Sequence, residues 1–399
     1  MPKVLRIINR LNLGGPTYNA SLLTKFMEED FTTLLVSGIK LQSEESSEFI
    51  AQKYNIKPVY INNMYRSLNP IKDFKSYNEL KKIIKDFKPD IVHTHAAKSG
   101  ALGRLAAFNQ NVPIIIHTFH GHVFHSYFNK LKSLFFIIIE RMLAKISTRI
   151  IVISDLQKQE IVEKYKICNN NKVEVIPLGF ELEKFQINKD INRKLFREKF
   201  QIKENEIAIG IIGRLTAIKN HKYFLNAFKW ITQRSDKKIR GFIVGDGEDR
   251  EMLESYANNL GLSFSTNMHS IHNKELCFTS WQKDIEIVNA GLDIVTLTSL
   301  NEGTPVSLIE AQAANKAIVS TNVGGVKDII LEEGTGLLVD KNNYQDFGRQ
   351  LIRIIEDKSL RENLSNNGYT FVKDKFNYIR LVNDMKNLYK KLMVEYELN

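Results

Sequence analysis

Short β-branched runs recur along the chain at Val4–Asn9, Thr33–Ser37, Asp90–His93, Ile114–His117, Arg149–Ile153 and Val173–Ile176, and between most of them apolar positions return at helical spacing. This alternation predicts parallel strands joined by helices. The pattern lapses over Phe180–Glu206, a charged stretch poor in strand formers. It resumes with Ile207–Ile212, Gly241–Val244, Leu276–Thr279, Ile294–Thr298 and Ala317–Ser320. The reading is a first domain over residues 1–179, a second over 180–375, and a strand-free helical segment, 376–399, that packs back onto the first. Two doubly wound α/β units in succession bring the carboxyl ends of two sheets, with their loops, to one cleft. No short internal repeat or low-complexity tract interrupts the pattern.

Composition supports two cores: 399 residues with 43% hydrophobic content exceed what one such domain needs. A formal charge of +11 favours an anionic partner: a phosphorylated ligand, a nucleic acid or an acidic membrane face. Cys168 and Cys277 lie far apart and outside any C-x-x-C pair, so neither a disulfide framework nor zinc spacing is present, and a reducing cytoplasm is expected. Met1–Arg10 carries no cleavable pattern, and the longest apolar run, Leu134–Ile139, is cut short by Glu140 and Arg141. A soluble or peripheral protein is expected.

Candidate chemistry sits where the strand runs end. Ile294–Thr298 is followed by Asn301-Glu302-Gly303-Thr304-Pro305-Val306-Ser307-Leu308-Ile309-Glu310. Thr304 reads as a helix N-cap and Pro305 as the first helical residue, which leaves the amides of Val306 and Ser307 free for a phosphate. Glu302 in the loop and Glu310 almost two turns into the helix offer carboxylates to paired sugar hydroxyls. A well-capped surface helix with two solvated acids fits the same residues. Gly213-Arg214-Leu215-Thr216-Ala217-Ile218-Lys219-Asn220 ends the first strand of the second domain, where Arg214 supplies a planar fork and Lys219 a point charge to a diphosphate. Gly245-Asp246-Gly247 and Gly324-Gly325 are two more glycine loops at strand ends.

In the first domain, Leu13-Gly14-Gly15-Pro16-Thr17 follows the first strand, and a helix beginning near Thr17 directs its positive end at a ligand. The G-x-G-x-x-G spacing is missing and Val36-Ser37-Gly38 holds no ribose acid, which disfavours a dinucleotide. Six of the nine histidines fall between His93 and His125, in two clusters that follow strands and so belong at the ligand-binding edge. No nearby carboxylate completes a metal set and H-E-x-x-H is absent, so neutral hydrogen-bonding histidines are favoured over metal ligands. The chain also contains no Asp-x-Asp pair to hold a divalent ion at a nucleotide leaving group.

With these residues in this order, the chain resembles the retaining glycosyltransferases of family 4, over nearly its whole length. Glu302 and Glu310 match that family's Glu-x7-Glu motif; Gly213-Arg214 with Lys219-Asn220, Val244-Gly245-Asp246-Gly247, Gly324-Gly325 and Leu13-Gly14-Gly15 match its other loops. The resemblance implies the GT-B architecture, two Rossmann-like domains facing one cleft. It implies a donor diphosphate bound by Arg214, Lys219 and the Gly14-Gly15 loop, and ribose hydroxyls held by Glu310. Glu302, Gly303 and Thr304 would hold the donor sugar, with Pro305 and Val306 at the helix start, and His120 would lie close to the transferred sugar. Trp281, in Ser280-Trp281-Gln282-Lys283-Asp284, would face a uracil base. It further implies retention at the anomeric carbon; with no Asp-x-Asp pair, Arg214, Lys219 and helix N-termini would serve in place of a metal, and no cofactor is expected. Pro177-Leu178-Gly179-Phe180-Glu181 and Asp328 depart from the residues common in the family.

The segments His93–Gly100 and His117–His122 resemble bacterial members that build surface glycans on a polyprenyl diphosphate, often from UDP-N-acetylhexosamines. Acceptor contacts are expected from Tyr18, His95, Lys98 and His122. Phe124–Lys145 places Phe128, Leu131, Leu134, Phe135, Ile138, Met142 and Ile146 at helical spacing, with Lys130, Lys132, Arg141 and Lys145 among them. That pattern fits an interfacial helix on an anionic membrane and equally a core helix. A nucleic-acid binder is disfavoured because the basic residues are dispersed, without aromatic-interleaved patches. A sugar-nucleotide epimerase on a similar frame is disfavoured by Glu-x7-Glu.

Overall fold

The computed structural model describes residues 1–11, 15–39, 48–65, 67–121, 130–266 and 274–398, with the side chains at 130–132 outside the description. The chain divides into two compact units, Met1–Phe180 with Phe376–Asn399, and Glu181–Lys375. The division therefore falls at the start of the charged stretch, whose helix Lys189–Lys199 belongs to the second unit.

The first unit is a parallel sheet of β1 (Lys3–Ile8), β2 (Thr32–Gly38), β3 (Val59–Ile61), β4 (Ile91–His95), β5 (Ile114–Phe119), β6 (Arg149–Val152) and β7 (Val173–Val175), in the order β3-β2-β1-β4-β5-β6-β7. The order reverses beside β1, as in a doubly wound fold. β4 and β5 are buried at every position, including their polar residues His93, Thr94, His95, His117 and Thr118, as expected for central strands of a sheet covered on both faces. The helix Pro70–Phe87 starts where a side chain supplies a missing acceptor. Asn69 accepts from the Lys72 amide, and Pro70 occupies the first turn of Pro70–Phe87, where no amide hydrogen is needed.

The C-terminal helix, Tyr378–Glu395, lays Leu381, Val382, Met385, Leu388, Tyr389 and Leu392 against Val4, Leu23, Met27, Phe31, Ile91 and Ile114. Each fully buried leucine or methionine contributes roughly 1.5–3 kcal/mol, so this helix is part of the first core.

The second unit repeats the plan with β8 (Glu206–Ile212), β9 (Lys238–Val244), β10 (Phe264–Ser265), β11 (Leu276–Ser280), β12 (Ile294–Leu297), β13 (Ala317–Thr321) and β14 (Leu337–Val339), in the order β10-β11-β9-β8-β12-β13-β14. Its core joins Ile209, Ile211, Phe224, Phe228, Ile243, Phe278, Val319 and Phe347. β3, β10 and β14, all at sheet edges, are the strands that the hydrophobic pattern misses.

Candidate functional site

In the second unit the carboxyl ends of β8, β9, β12 and β13 carry loops that are fastened to one another. Thr298 Oγ1 donates to the carbonyls of Lys219 and Asn220, both at 3.1 Å, and the Leu300 amide donates to Ile218 O at 2.8 Å. The Gly325 amide donates to Glu302 O at 3.0 Å, and Thr321 Oγ1 to Ser299 O at 2.8 Å. Close backbone approach explains two of the glycines. A Cβ on Gly325 would stand 1.7 Å from Gly303 O, and one on Gly245, whose φ is +142°, would stand 1.9 Å from Gly213 O.

These fastenings bring Lys219 and Glu302 together. Lys219 Nζ lies 2.5 Å from Glu302 Oε1, and Ser299 Oγ donates to the same oxygen at 2.6 Å. Arg214 instead sits half exposed in an ion pair with Glu248 at 3.0 Å. Trp281 follows β11 and is partly exposed.

The helix expected to begin at Pro305 starts one residue later, at Val306, with Pro305 itself in the cap position at φ −71°, ψ 102°. Thr304 is therefore not the N-cap. Proline has no side-chain acceptor, and no side chain caps this helix, so its first turn offers amides to an anion. The Glu310 side chain, in the second turn, makes no hydrogen bond or ion pair among the described residues, and burial pushes its carboxyl up to about 7 against the pull of Lys184.

The first unit places its histidines deeper than expected. His93, His95 and His117 are completely buried, because the strands that carry them lie in the middle of a covered sheet. His93 is held at both ends, by Tyr389 Oη on Nδ1 at 2.6 Å and by Thr118 Oγ1 on Nε2 at 2.7 Å. His117 Nδ1 meets Thr94 Oγ1 at 2.9 Å, and a Cβ on Gly100 would strike its ring. These two are structural, not ligand-facing.

His95, expected at the acceptor, is buried with its Nδ1 on His120 Nε2 at 2.9 Å, the rings stacked. Burial lowers the pKa of all four, His120 to about 3, so they are neutral in the folded protein. Ala96, directly after His95, holds φ 67°, ψ 160°, a conformation that costs an alanine about 1–3 kcal/mol.

The other acceptor residues are engaged elsewhere. Lys98 pairs with Asp73 and donates to Ser67 O at 2.6 Å. Tyr18 packs edge-on against Phe180. Gly15 is the first residue of the helix Gly15–Phe26, which starts two residues before Thr17. Gly14 and His122 lie outside the described residues. Sequence reasoning missed Ser299, the second donor to Glu302; a serine two residues past a strand carries no distinguishing pattern.

A carboxylate held by a lysine, a second carboxylate and a helix start without a side-chain cap thus lie in the loops and helix that follow β8 and β12. Residues 14–184 match the family model described as Glycosyltransferase Family 4, and residues 192–371 match Glycosyl transferases group 1. The chain is 34% identical over 344 residues to the UDP-Gal:alpha-D-GlcNAc-diphosphoundecaprenol alpha-1,3-galactosyltransferase of Escherichia coli, covering 85% of each chain. It is 25% identical over 350 residues to the capsular polysaccharide biosynthesis glycosyltransferase CapM of Staphylococcus aureus, covering 87% of this chain and 88% of that one. The fold of the Anabaena HepE protein, solved in complex with UDP, superposes with a TM-score of 0.79 at 16% identity, over 98% of this chain and 100% of that one. The chain belongs to glycosyltransferase family 4. It is a glycosyltransferase of GT-B architecture.

Proposed function

We propose that the protein transfers a sugar from a UDP-sugar to a hydroxyl of a glycan acceptor carried on a polyprenyl diphosphate, in assembly of a bacterial surface polysaccharide. The observation that supports this most is the grouping of Lys219, Glu302, Glu310 and the uncapped helix Val306–Ala313 at one sheet edge. In this reading Lys219, Arg214 and the helix amides hold the diphosphate, Glu310 takes the ribose hydroxyls, and Glu302 with Gly303 and Thr304 orients the sugar. Trp281 faces the base, and His120 presents its Nδ1 to the transferred sugar while Nε2 stays on His95. Transfer proceeds with retention, and cations and helix amides stabilise the leaving UDP in place of a metal.

The sequence reading favours an amino-sugar donor. The name of the E. coli relative puts galactose on the donor and N-acetylglucosamine on the acceptor, so UDP-galactose and UDP-N-acetylglucosamine head the donor panel. Among the described residues no helix is long and apolar enough to cross a membrane. We assign the protein to the cytoplasmic face of the membrane, with the helix Lys130–Lys145 of the first unit meeting anionic lipid. A donor that binds only the folded state raises the melting midpoint, which selects it from the panel. Release of UDP should then require a polyprenyl-diphosphate sugar, survive EDTA, and give a product with the donor's anomeric configuration. Epimerised donor in the absence of acceptor would overturn the reading.

A further inference from the structure

β11 ends irregularly. Phe278 pairs with Ile243 and Ser280 with Val244, so Thr279 is an extra residue, a bulge, and Ser280 carries φ +58°. Bulges re-aim the residues that follow, and a positive φ in a residue with a Cβ persists only where its surroundings enforce it. What enforces it is visible. Arg250, first residue of the helix Arg250–Asn259, donates from Nη1 to Ser280 Oγ at 2.6 Å and to Asp246 Oδ2 at 3.1 Å. Its Nε donates to Glu254 Oε1 at 2.5 Å, and its guanidinium lies 5.7 Å from the Phe278 ring centroid. The Gly245 amide donates to Ser280 O at 3.1 Å, and the Gly247 amide to Asp246 Oδ1 at 2.9 Å. One planar fork thus locks the ends of β9 and β11 together, and the residue after the locked turn is Trp281.

We propose that Arg250 is a positioning residue for nucleotide recognition: through Ser280 it fixes the direction in which Trp281 and residues 282–284 meet the base. This rests on the reading that Trp281 faces the base. A lysine places one point charge where the fork makes bonds in several directions, so Arg250→Lys does not restore the lock. Glycine adopts a positive φ without cost, so Ser280→Gly keeps the turn available but removes the hydroxyl that fixes it.

The test measures UDP and GDP affinity by calorimetry, and donor KM and kcat, for wild type, Arg250→Lys, Arg250→Met, Ser280→Gly and Trp281→Ala. Arg250→Met should weaken UDP about tenfold, raise donor KM equally, leave kcat within about twofold and narrow the preference for UDP over GDP. Arg250→Lys and Ser280→Gly should follow in the same direction, and either serves should Arg250→Met fail to fold. If Trp281→Ala weakens UDP while the Arg250 and Ser280 variants bind and discriminate as wild type does, the positioning role is overturned. If Trp281→Ala leaves UDP affinity unchanged, the base reading itself is wrong. An equal fall in kcat with unchanged KM would also overturn the proposal, because it places Arg250 in the transfer step.

Discussion

Lys219 Nζ and Glu302 Oε1 are 2.5 Å apart, and Ser299 Oγ shares the same carboxylate oxygen. The sequence suggests separate duties for these residues, the lysine on a diphosphate and the carboxylate on a sugar. The geometry couples them, because part of the lysine's charge is already neutralised before an anion arrives. Glu302→Gln should therefore tighten UDP binding by a few-fold while turnover falls at least 10²-fold, the scale of losing one preorganised group. Lys219→Met should weaken UDP and lower the melting midpoint, because it leaves Glu302 without its cation. Calorimetry that shows weaker UDP binding by Glu302→Gln would contradict the coupling.

If Glu310 takes the ribose hydroxyls as proposed, it gives nucleotide binding a pH dependence. Its carboxyl is pushed from 4.5 up to about 7 by burial, so the folded protein binds a proton there that the unfolded chain has released. Stability contributed at this position is complete below pH 4.5 and declines as pH rises to 7, by no more than about 3 kcal/mol given its partial exposure. Only the ionised carboxylate accepts from both ribose hydroxyls. UDP affinity should thus increase from pH 6 to pH 8 in wild type and be weaker and flat in Glu310→Gln, while urea midpoints of that variant lose the decline. Parallel pH profiles of the two proteins would remove Glu310 from the ribose.

The buried histidines work in the opposite sense. His93, His95, His117 and His120 all have lowered pKa values, chiefly from desolvation. Unfolding exposes imidazoles that take up protons below 6.5, so stability is full above that pH and is lost as pH falls. Each histidine contributes a slope of about 1.4 kcal/mol per pH unit below 6.5, until its own folded pKa is reached. Equilibrium urea unfolding from pH 7.5 to 5 should show uptake of several protons. Tyr389→Phe should cost about 1–3 kcal/mol by stranding His93 Nδ1. A midpoint flat between pH 7.5 and 5 would mean that these imidazoles titrate alike in the folded and unfolded chain, against the lowered values.

The sheets were legible in the chain because most central strands open on β-branched apolar residues, as at Ile114–Ile116. β3, β10 and β14 were not, since two or three residues at a sheet edge carry no period. Glu302, Lys219 and Glu310 were legible as residue types at strand ends. Their pairing was not, because Lys219 and Glu302 are 83 residues apart and meet only once the β8 and β12 loops are fastened. The histidines misled for a related reason: β4 is covered on both faces, so His93 and His95 on one face and Thr94 on the other all sit inside. The positive φ of Ser280 left no trace, serine being an ordinary strand-end residue.

The helix Lys130–Lys145 resolves the choice between core and interface into two faces. Leu143 and Ala144 are buried, and Phe136 and Ile137 pack against the core of Phe119, Ile150, Val152 and Val173. The other face leaves Leu134, Phe135, Ile138 and Met142 exposed at 51%, 58%, 46% and 58%. Leu134, Ile138 and Met142 recur every four residues and so form one stripe, which ends beside exposed Arg141 and Lys145. Phe128 lies outside the described residues, as do the side chains of Lys130, Leu131 and Lys132. An apolar stripe bordered by cations on a chain of formal charge +11 suits anionic lipid, where the aliphatic groups enter the acyl boundary and the cations meet headgroups. The protein should sediment with vesicles containing anionic lipid and much less with neutral ones, and added salt should weaken the association within the range where the Debye length shortens. Ile138→Glu and Met142→Glu together should abolish sedimentation while leaving the melting midpoint and UDP affinity unchanged, because neither side chain supports the core. Equal partitioning of wild type and the double variant on anionic vesicles would assign the stripe to another partner.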